Sequence, residues 1–322
     1  MSVPGWPTAF RGSHAVAAGL VTPDRLRGPR FLRLLPDVYC RAAAEPPGLL
    51  LRSLAAYRLV EGRGVLSGHS AAALLDAECA PRRGTPAEVT LLRGNLRAHP
   101  GLVVRRGLLR HDEITHVRDV ACTTPLRTAF DLARGADRDA AVVAVDRLAN
   151  RHRFDPDRLL ELHARYRGRR GVAGVPTVVA LSSPYAESPM ETRLRLLVVA
   201  AGLPRSEVQW VVRDVVTRTA FWLDLAWPER RIGIEYEGEP HTEPSRVLRD
   251  IARHTRLVDL GWQVYRYTKR EVYGDRPDRR RAGSCPGEMH TSGVSGALNP
   301  AHVHLVGGEG SRPARGDGAY TG

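Results

Sequence analysis

The sequence predicts a mixed α/β protein built of several units, and three observations carry that prediction. Two strand-like segments, Phe221-Trp222-Leu223-Asp224-Leu225-Ala226-Trp227 and Ile232-Gly233-Ile234-Glu235-Tyr236-Glu237-Gly238, flank the four-residue loop Pro228-Glu229-Arg230-Arg231. They are rich in aromatic and β-branched residues, as hairpin strands are, and a long helical stretch and a further strand follow. Near the N-terminus, short capped helical segments give way to a β-ribbon. Beyond about residue 277, Gly, Pro, Ser and Arg dominate and periodicity ends.

The chain has 322 residues, of which 43% are hydrophobic. That length suggests about two or three domains. No apolar run approaches the roughly 18 residues of a membrane span, and the start lacks the basic, apolar and cleavage regions of a signal peptide. The expectation is a soluble cytoplasmic protein with no membrane partner. The net charge of +13 favours polyanionic partners, nucleic acid first. Composition offers another reading of the charge. Lys269 is the sole lysine, so the basic excess is almost all Arg, as a high-GC coding sequence would give. Cys40, Cys79, Cys122 and Cys285 are scattered, without zinc spacing or a disulfide framework, and read as free thiols.

Residues 1–46 predict a winged helix-turn-helix-like unit. A first helix spans about 12–19. Thr22-Pro23-Asp24 starts a second: Thr as N-cap, Pro in the first turn and an acid after it. A ribbon at 31–41 breaks at Pro36-Asp37. Arg25, Arg27, Arg30 and Arg33 lie close by and suit phosphate contact, with Arg25, Arg27 and Arg30 the candidate nucleic-acid-binding residues. Helical pairs of this size also serve as plain scaffolding.

Residues 47–182 predict an α+β middle region. Helical segments fall at 53–57, 67–75, 125–134, 139–150 and 157–166, and strands at 89–93 and 102–106. His69, His99, His111 and His116 lack metal spacing. Arg165, Arg167, Arg169 and Arg170 cluster around Gly168. A charge run of this kind reads first as a solvated linker, and alternatively as a patch that tracks a nucleic-acid strand.

Residues 183–276 are the most patterned. Ser188-Pro189-Met190-Glu191 opens a helix ending near Gly202, strands follow at 208–213 and in the hairpin, a helix covers about 245–260, and a last strand covers 263–268. If Trp227 faces Ile232, Asp224 falls opposite Glu235, and Glu237 shares the face of Glu235. Opposed carboxylates on a sheet repel, and a divalent cation reverses that penalty. Asp224 lies between apolar neighbours, where an unpaired carboxylate is costly. Glu235 has another possible partner in the abundant arginines, and Glu191 completes a Ser-x-x-Glu capping box as readily as a site. Arg253 suits a phosphate or an i,i+3 pair with Asp250. Residues 277–322 predict a disordered tail.

An acid on one strand followed by Glu-x-polar on the next, here Asp224 and then Glu235-Tyr236-Glu237, resembles the PD-(D/E)XK nucleases of the restriction-endonuclease-like fold. The wider string Glu235-Tyr236-Glu237-Gly238-Glu239-Pro240-His241, then Asp250, Arg253 and Gly261-Trp262-Gln263-Val264, resembles endonuclease-like domains related to the very-short-patch-repair endonuclease. The N-terminal part is similar, more loosely, to abortive-infection (AbiEi-type) antitoxin-like proteins through Phe10-Arg11-Gly12, residues 20–27, Val38-Tyr39 and His69-Ser70-Ala71-Ala72. The resemblance implies that Asp224, Glu235 and the Tyr236 carbonyl hold Mg²⁺ or Mn²⁺. It implies a catalytic set of Asp224, Glu235, Glu237, His241 and Glu191, with His241 as acid or base. Glu237 replaces the usual Lys, and Lys269, at the end of the last strand, is a candidate substitute from a neighbouring element.

The resulting expectation is a DNA-associating protein with a metal-dependent endonuclease-like domain. The alternatives are a non-enzymatic DNA-binding regulator of the antitoxin type, and a subunit active only with a protein partner, such as a toxin, a repair factor or a second copy.

Overall fold

The protein is described by a computed structural model covering residues 9–80, 84–238 and 244–273. The fold is mixed α/β, with three sheets among the described residues. The first is small. Strand β1 (Phe10–Arg11) leads into helices α1 (Gly12–Ala17) and α2 (Pro23–Arg27), then the ribbon β2 (Phe31–Leu35) and β3 (Val38–Arg41), in sheet order β1-β3-β2. Thr22 caps α2, its Oγ1 accepting the Arg25 N–H at 3.3 Å. Asp37 turns the ribbon at φ 56°. Its carboxylate accepts the Ser13 N–H at 2.8 Å and the Ser13 hydroxyl at 2.6 Å, tying the turn to α1. The pairing of Phe10 with Tyr39 is absent from the sequence reading because two residues are too short to show a period.

Next come α3 (Leu49–Val60), β4 (Gly64–Leu66), α4 (Gly68–Leu74), β5 (Ala87–Leu91), β6 (Leu102–Arg106), β7 (Ile114–Val117) and β8 (Val120–Thr123). Helices α5 (Pro125–Ala133), α6 (Arg138–His152), α7 (Leu159–Arg165) and α8 (Val175–Leu181) complete the middle region. Its sheet runs β6-β5-β4-β8-β7. Leu66, Phe130, Leu148 and Leu159 are fully enclosed in one apolar cluster. Cys40, Cys79 and Cys122 are buried free thiols, and burial pushes the Cys79 and Cys122 thiols up to about 12.

The C-terminal part contains α9 (Pro189–Ala200), β9 (Glu207–Asp214), β10 (Thr219–Trp227), β11 (Ile232–Glu237), α10 (Pro244–Asp259), β12 (Gln263–Thr268) and α11 (Lys269–Tyr273). Its sheet runs β12-β11-β10-β9, with only β11 and β12 parallel. One cluster joins Leu194 and Val198 of α9 to Leu225, Ile234 and Val272. Another joins Leu257 of α10 to Val212, Leu223 and Ala226. Two arginines fasten α10: Arg256 pairs with Asp214 at the end of β9, and Arg253 pairs with Glu235 of β11. The predicted tail, Cys285 and His241 lie outside the described residues.

Helix α9 has two buried faces. Leu194 and Val198 meet the C-terminal sheet, whereas Leu196 enters the middle core. On that second face Arg195 pairs with Asp146 of α6 at 2.5 Å, both almost wholly enclosed. Asp146 also accepts the Ser183 N–H at 2.8 Å and the Thr192 hydroxyl at 2.9 Å. Removing one member of such a pair strands the other. Arg195→Met should therefore lower the unfolding free energy by about 3–5 kcal/mol at pH 8. The loss should shrink at pH 5, where the raised Asp146 carboxyl protonates more easily. Urea unfolding at both pH values checks this, and an equal loss at both would count against it.

Candidate functional site

The hairpin forms in the expected register up to a point. Trp227 faces Ile232, Ala226 faces Gly233 and Leu225 faces Ile234. The ladder then opens. Instead of facing Glu235 across a regular pair, Asp224 turns its carboxylate into the gap, where Oδ2 accepts the Tyr236 N–H at 2.7 Å. A side chain has taken the place of a ladder carbonyl.

The cause lies in β10 itself. Leu223 packs with Ala226 and α10, while Leu225 packs with Ile234 under α9. Residues two apart in a strand normally share a face, so the alternation slips at Asp224. Strand β9 slips with it: Val212 belongs with Leu223, and Val208 with Leu225. The intervening residue opposite Asp224 is Gln209, since the flanking pairs are Leu223 with Trp210 and Leu225 with Val208. Gln209 adopts φ 54°, a left-handed conformation uncommon for non-glycine residues and of the kind that clusters at functional sites.

Gln209 turns toward Glu191, donating from Nε2 to Oε2 at 2.9 Å. The same oxygen accepts the Glu187 N–H at 2.9 Å, and the Glu191 N–H donates to Ser188 Oγ at 3.2 Å. Ser188 caps α9 through the Glu191 N–H, but the Glu191 carboxylate takes the N–H of Glu187, one residue before the cap, so the reciprocal capping box does not close. The carboxylate stands beside the slip instead, close enough for its charge to act on Asp224.

Glu235 is buried and held by arginine. Arg253 Nη1 donates to Oε2 at 2.9 Å, and Nη2 donates to Oε1 and to the Trp222 carbonyl, the latter at 2.6 Å. Arg266, its neighbour on parallel β12, approaches to 3.5 Å. The partner of Arg253 is therefore Glu235, not Asp250. Glu237 is exposed at the end of β11, paired in register with Thr268, and Lys269 follows directly. Arg25, Arg27 and Arg30 are exposed on the N-terminal unit, with Arg27 paired to Asp24 at 2.7 Å.

Burial pushes the Asp224 carboxyl up to about 7. The Tyr236 N–H opposes the rise, Glu191 and Glu235 add to it, and Arg253 draws it down. Both nearby guanidinium groups, Arg253 and Arg266, pair with Glu235, and neither Asp224 nor Glu191 has an arginine at ion-pair distance among the described residues. Among the described residues, no cation lies at ion-pair distance from Asp224, and no three acidic, thiol or imidazole groups stand at metal-binding spacing. The donor chemistry fits a hard divalent cation: carboxylate oxygens, and a Tyr236 carbonyl on the same strand edge as its N–H. The spacing is that of acids still tied to their protein partners.

Gln209 and Arg266 escaped the sequence reading. Extending the hairpin register onto β9 and β12 finds both, but that requires knowing which strands are neighbours.

Comparison with known proteins returns uncharacterized proteins of Mycobacterium tuberculosis, from strains CDC 1551 and H37Rv. Each is 30% identical over 230 residues, covering 69% of this chain and 80% of the relative. The chain belongs to their family. No family model matches it.

The raised carboxyl makes a signed prediction. Because folded Asp224 titrates above an unfolded aspartate, its contribution to stability is complete below about pH 4 and is lost as pH rises through 7. A rise from 3.8 to about 7 corresponds to at most about 4 kcal/mol. In metal-free buffer, Asp224→Asn should stabilise the protein at pH 8 by up to that amount and leave it unchanged near pH 4. Denaturation across this range measures it, and no gain at pH 8 would remove the argument.

Proposed function

We propose that the C-terminal part is a metal-dependent phosphodiesterase of the endonuclease type, acting on nucleic acid and on DNA in particular. The observation that carries this reading is Asp224. A half-buried carboxylate at a break in the sheet, beside two further acids and without a cationic partner among the described residues, is a costly arrangement. Binding a divalent cation makes it favourable. Asp224, Glu235 and the Tyr236 carbonyl are the ligands in this reading, and Mg²⁺ or Mn²⁺ the ion. Such an ion supplies Lewis acidity toward a phosphodiester and makes water easier to deprotonate.

The chain's own groups have separable tasks. Arg253 orients Glu235 through two hydrogen bonds and is anchored to the Trp222 carbonyl. Gln209 orients Glu191. Glu237 is exposed at the strand end, where the resemblance expects Lys, and Lys269 follows its register partner. His241 is the proposed acid or base. The exposed Arg25, Arg27 and Arg30 suit DNA contact by the N-terminal unit.

One observation favours a second reading. Arg253 already contacts both oxygens of Glu235, and a site neutralised in this way needs no ion. In that case the protein is a DNA-binding regulator of the antitoxin type, with the nuclease-like fold as scaffold.

Two measurements separate the readings. Under the enzymatic reading, Mn²⁺ or Mg²⁺ stabilises the full chain, by about 2.7 kcal/mol at a hundred times Kd. The gain is larger at pH 8 than at pH 6, where protons compete for Asp224, and it is absent in Asp224→Asn. The pure protein also cleaves DNA with Mn²⁺ and stops with chelator, and Asp224→Asn or Glu235→Gln abolishes cleavage. His241→Ala should slow it by about 10²–10⁴-fold. Salt-sensitive DNA binding with neither stabilisation nor cleavage would establish the regulator instead.

A further inference from the structure

A cleft of about 990 Å³ lies away from the acidic site, between the middle region and the outer side of α9. Its walls come from the end of β6, the α5–α6 turn, the loop after α7, α9 and α11. Seven arginines and three carboxylates line it. Three of those arginines are committed: Arg105 to Glu88 at 2.6 Å, and Arg127 and Arg134 to Asp131 at 3.0 and 3.2 Å. The other four, Arg106, Arg169, Arg170 and Arg193, have no carboxylate partner among the described residues. Water alone does not explain such a concentration in a concave site, where like charges repel.

The backbone holds two of these arginines in place. Gly168 and Gly171 both adopt φ 78°, bracketing Arg169 and Arg170. Arg134 Nε donates to the Arg170 carbonyl at 3.0 Å, and a Cβ at Gly171 would run into the Arg134 carbonyl. The loop is therefore shaped against the end of α5, with its charges on the cleft. The cleft also offers an open ring. Tyr273 is 48% exposed, with the Arg193 guanidinium 5.4 Å from its centroid.

We propose that this cleft binds a short stretch of single-stranded nucleic acid, with Arg106, Arg169, Arg170 and Arg193 on successive phosphates and Tyr273 stacked on an unpaired base. Positive charge along a groove with an aromatic platform is the chemistry of single-strand binding. A duplex keeps its bases stacked inside and leaves the ring nothing to stack on. The proposal rests on the nucleic-acid part of the function proposed above and is independent of the cation. Arg193 lies two residues from Glu191, on the other side of the same helix, so α9 stands between the cleft and the acidic site.

The test is fluorescence anisotropy of a labelled single-stranded oligonucleotide with the full chain, titrated at several salt concentrations. Arg169→Ala combined with Arg170→Ala should weaken binding at least about tenfold and reduce the log–log salt slope by about 1.4, since each single-strand phosphate contributes about 0.7. Tyr273→Ala should weaken binding roughly tenfold with an unchanged slope. Thermal melting confirms that these variants fold, and their Mn²⁺-dependent stabilisation should equal that of the unaltered chain, so that failure of the cation site and failure of the cleft are read separately. An unchanged slope in the double variant, equal affinity for the matching duplex, or displacement by a mononucleotide at equal phosphate concentration would overturn the proposal. The last result would identify a nucleotide pocket instead.

Discussion

The ion pair between Asp146 and Arg195 is the constraint on which the rest of the molecule depends. Neither group can be enclosed alone, because an unpaired buried charge costs several kcal/mol. Their pairing fixes α9 against α6. That contact orients the other side of α9, where Leu194 and Val198 cover the C-terminal sheet. Glu191 and Arg193 follow from the same helix geometry. One is carried to the break in the sheet, the other to the basic cleft.

The break at Asp224 and Gln209 is a second constraint, and a costly one. A regular pair of strands would have left both side chains on ordinary faces. Instead both strands slip together, and Gln209 takes a left-handed backbone. What the slip achieves is orientation: Asp224 lies in the plane of the sheet, against the Tyr236 N–H and within the field of Glu191 and Glu235. The carboxyl is raised because water has been removed from it and the neighbouring arginines are spent on Glu235. That combination favours whichever positive species can reach Asp224, a proton or a metal ion.

Arginine has two physical roles in the chain. Where it meets a buried carboxylate it pairs with it, as Arg127 does with Glu113 and Asp131 and Arg256 with Asp214. Where it is exposed in the cleft it lacks such partners. Arginine suits the first role because its planar fork gives two hydrogen bonds to a carboxylate and does not lose its proton. The net charge therefore understates how unevenly the positive charge is distributed.

Local pattern was enough for much of the secondary structure. The Thr22 cap, the break at Pro36-Asp37, the helix opening at Ser188 and the strand at 263–268 are each set by residues adjacent in sequence, so they were legible from it. The same holds for the hairpin register from Trp227 to Leu225, because a short loop leaves few alternatives. Strands β4, β7 and β8 were not legible, being short segments whose identity comes from neighbours distant in the chain. The sequence by itself determined which acids and arginines the protein possesses and which strands carry them. Only the tertiary structure decided that Asp224 would leave the sheet face, that Arg253 would choose Glu235 over Asp250, and that Arg169 and Arg170 would meet Arg193 across a cleft. Those outcomes depend on burial and on charges brought together from far apart, and neither is encoded in the spacing of nearby residues.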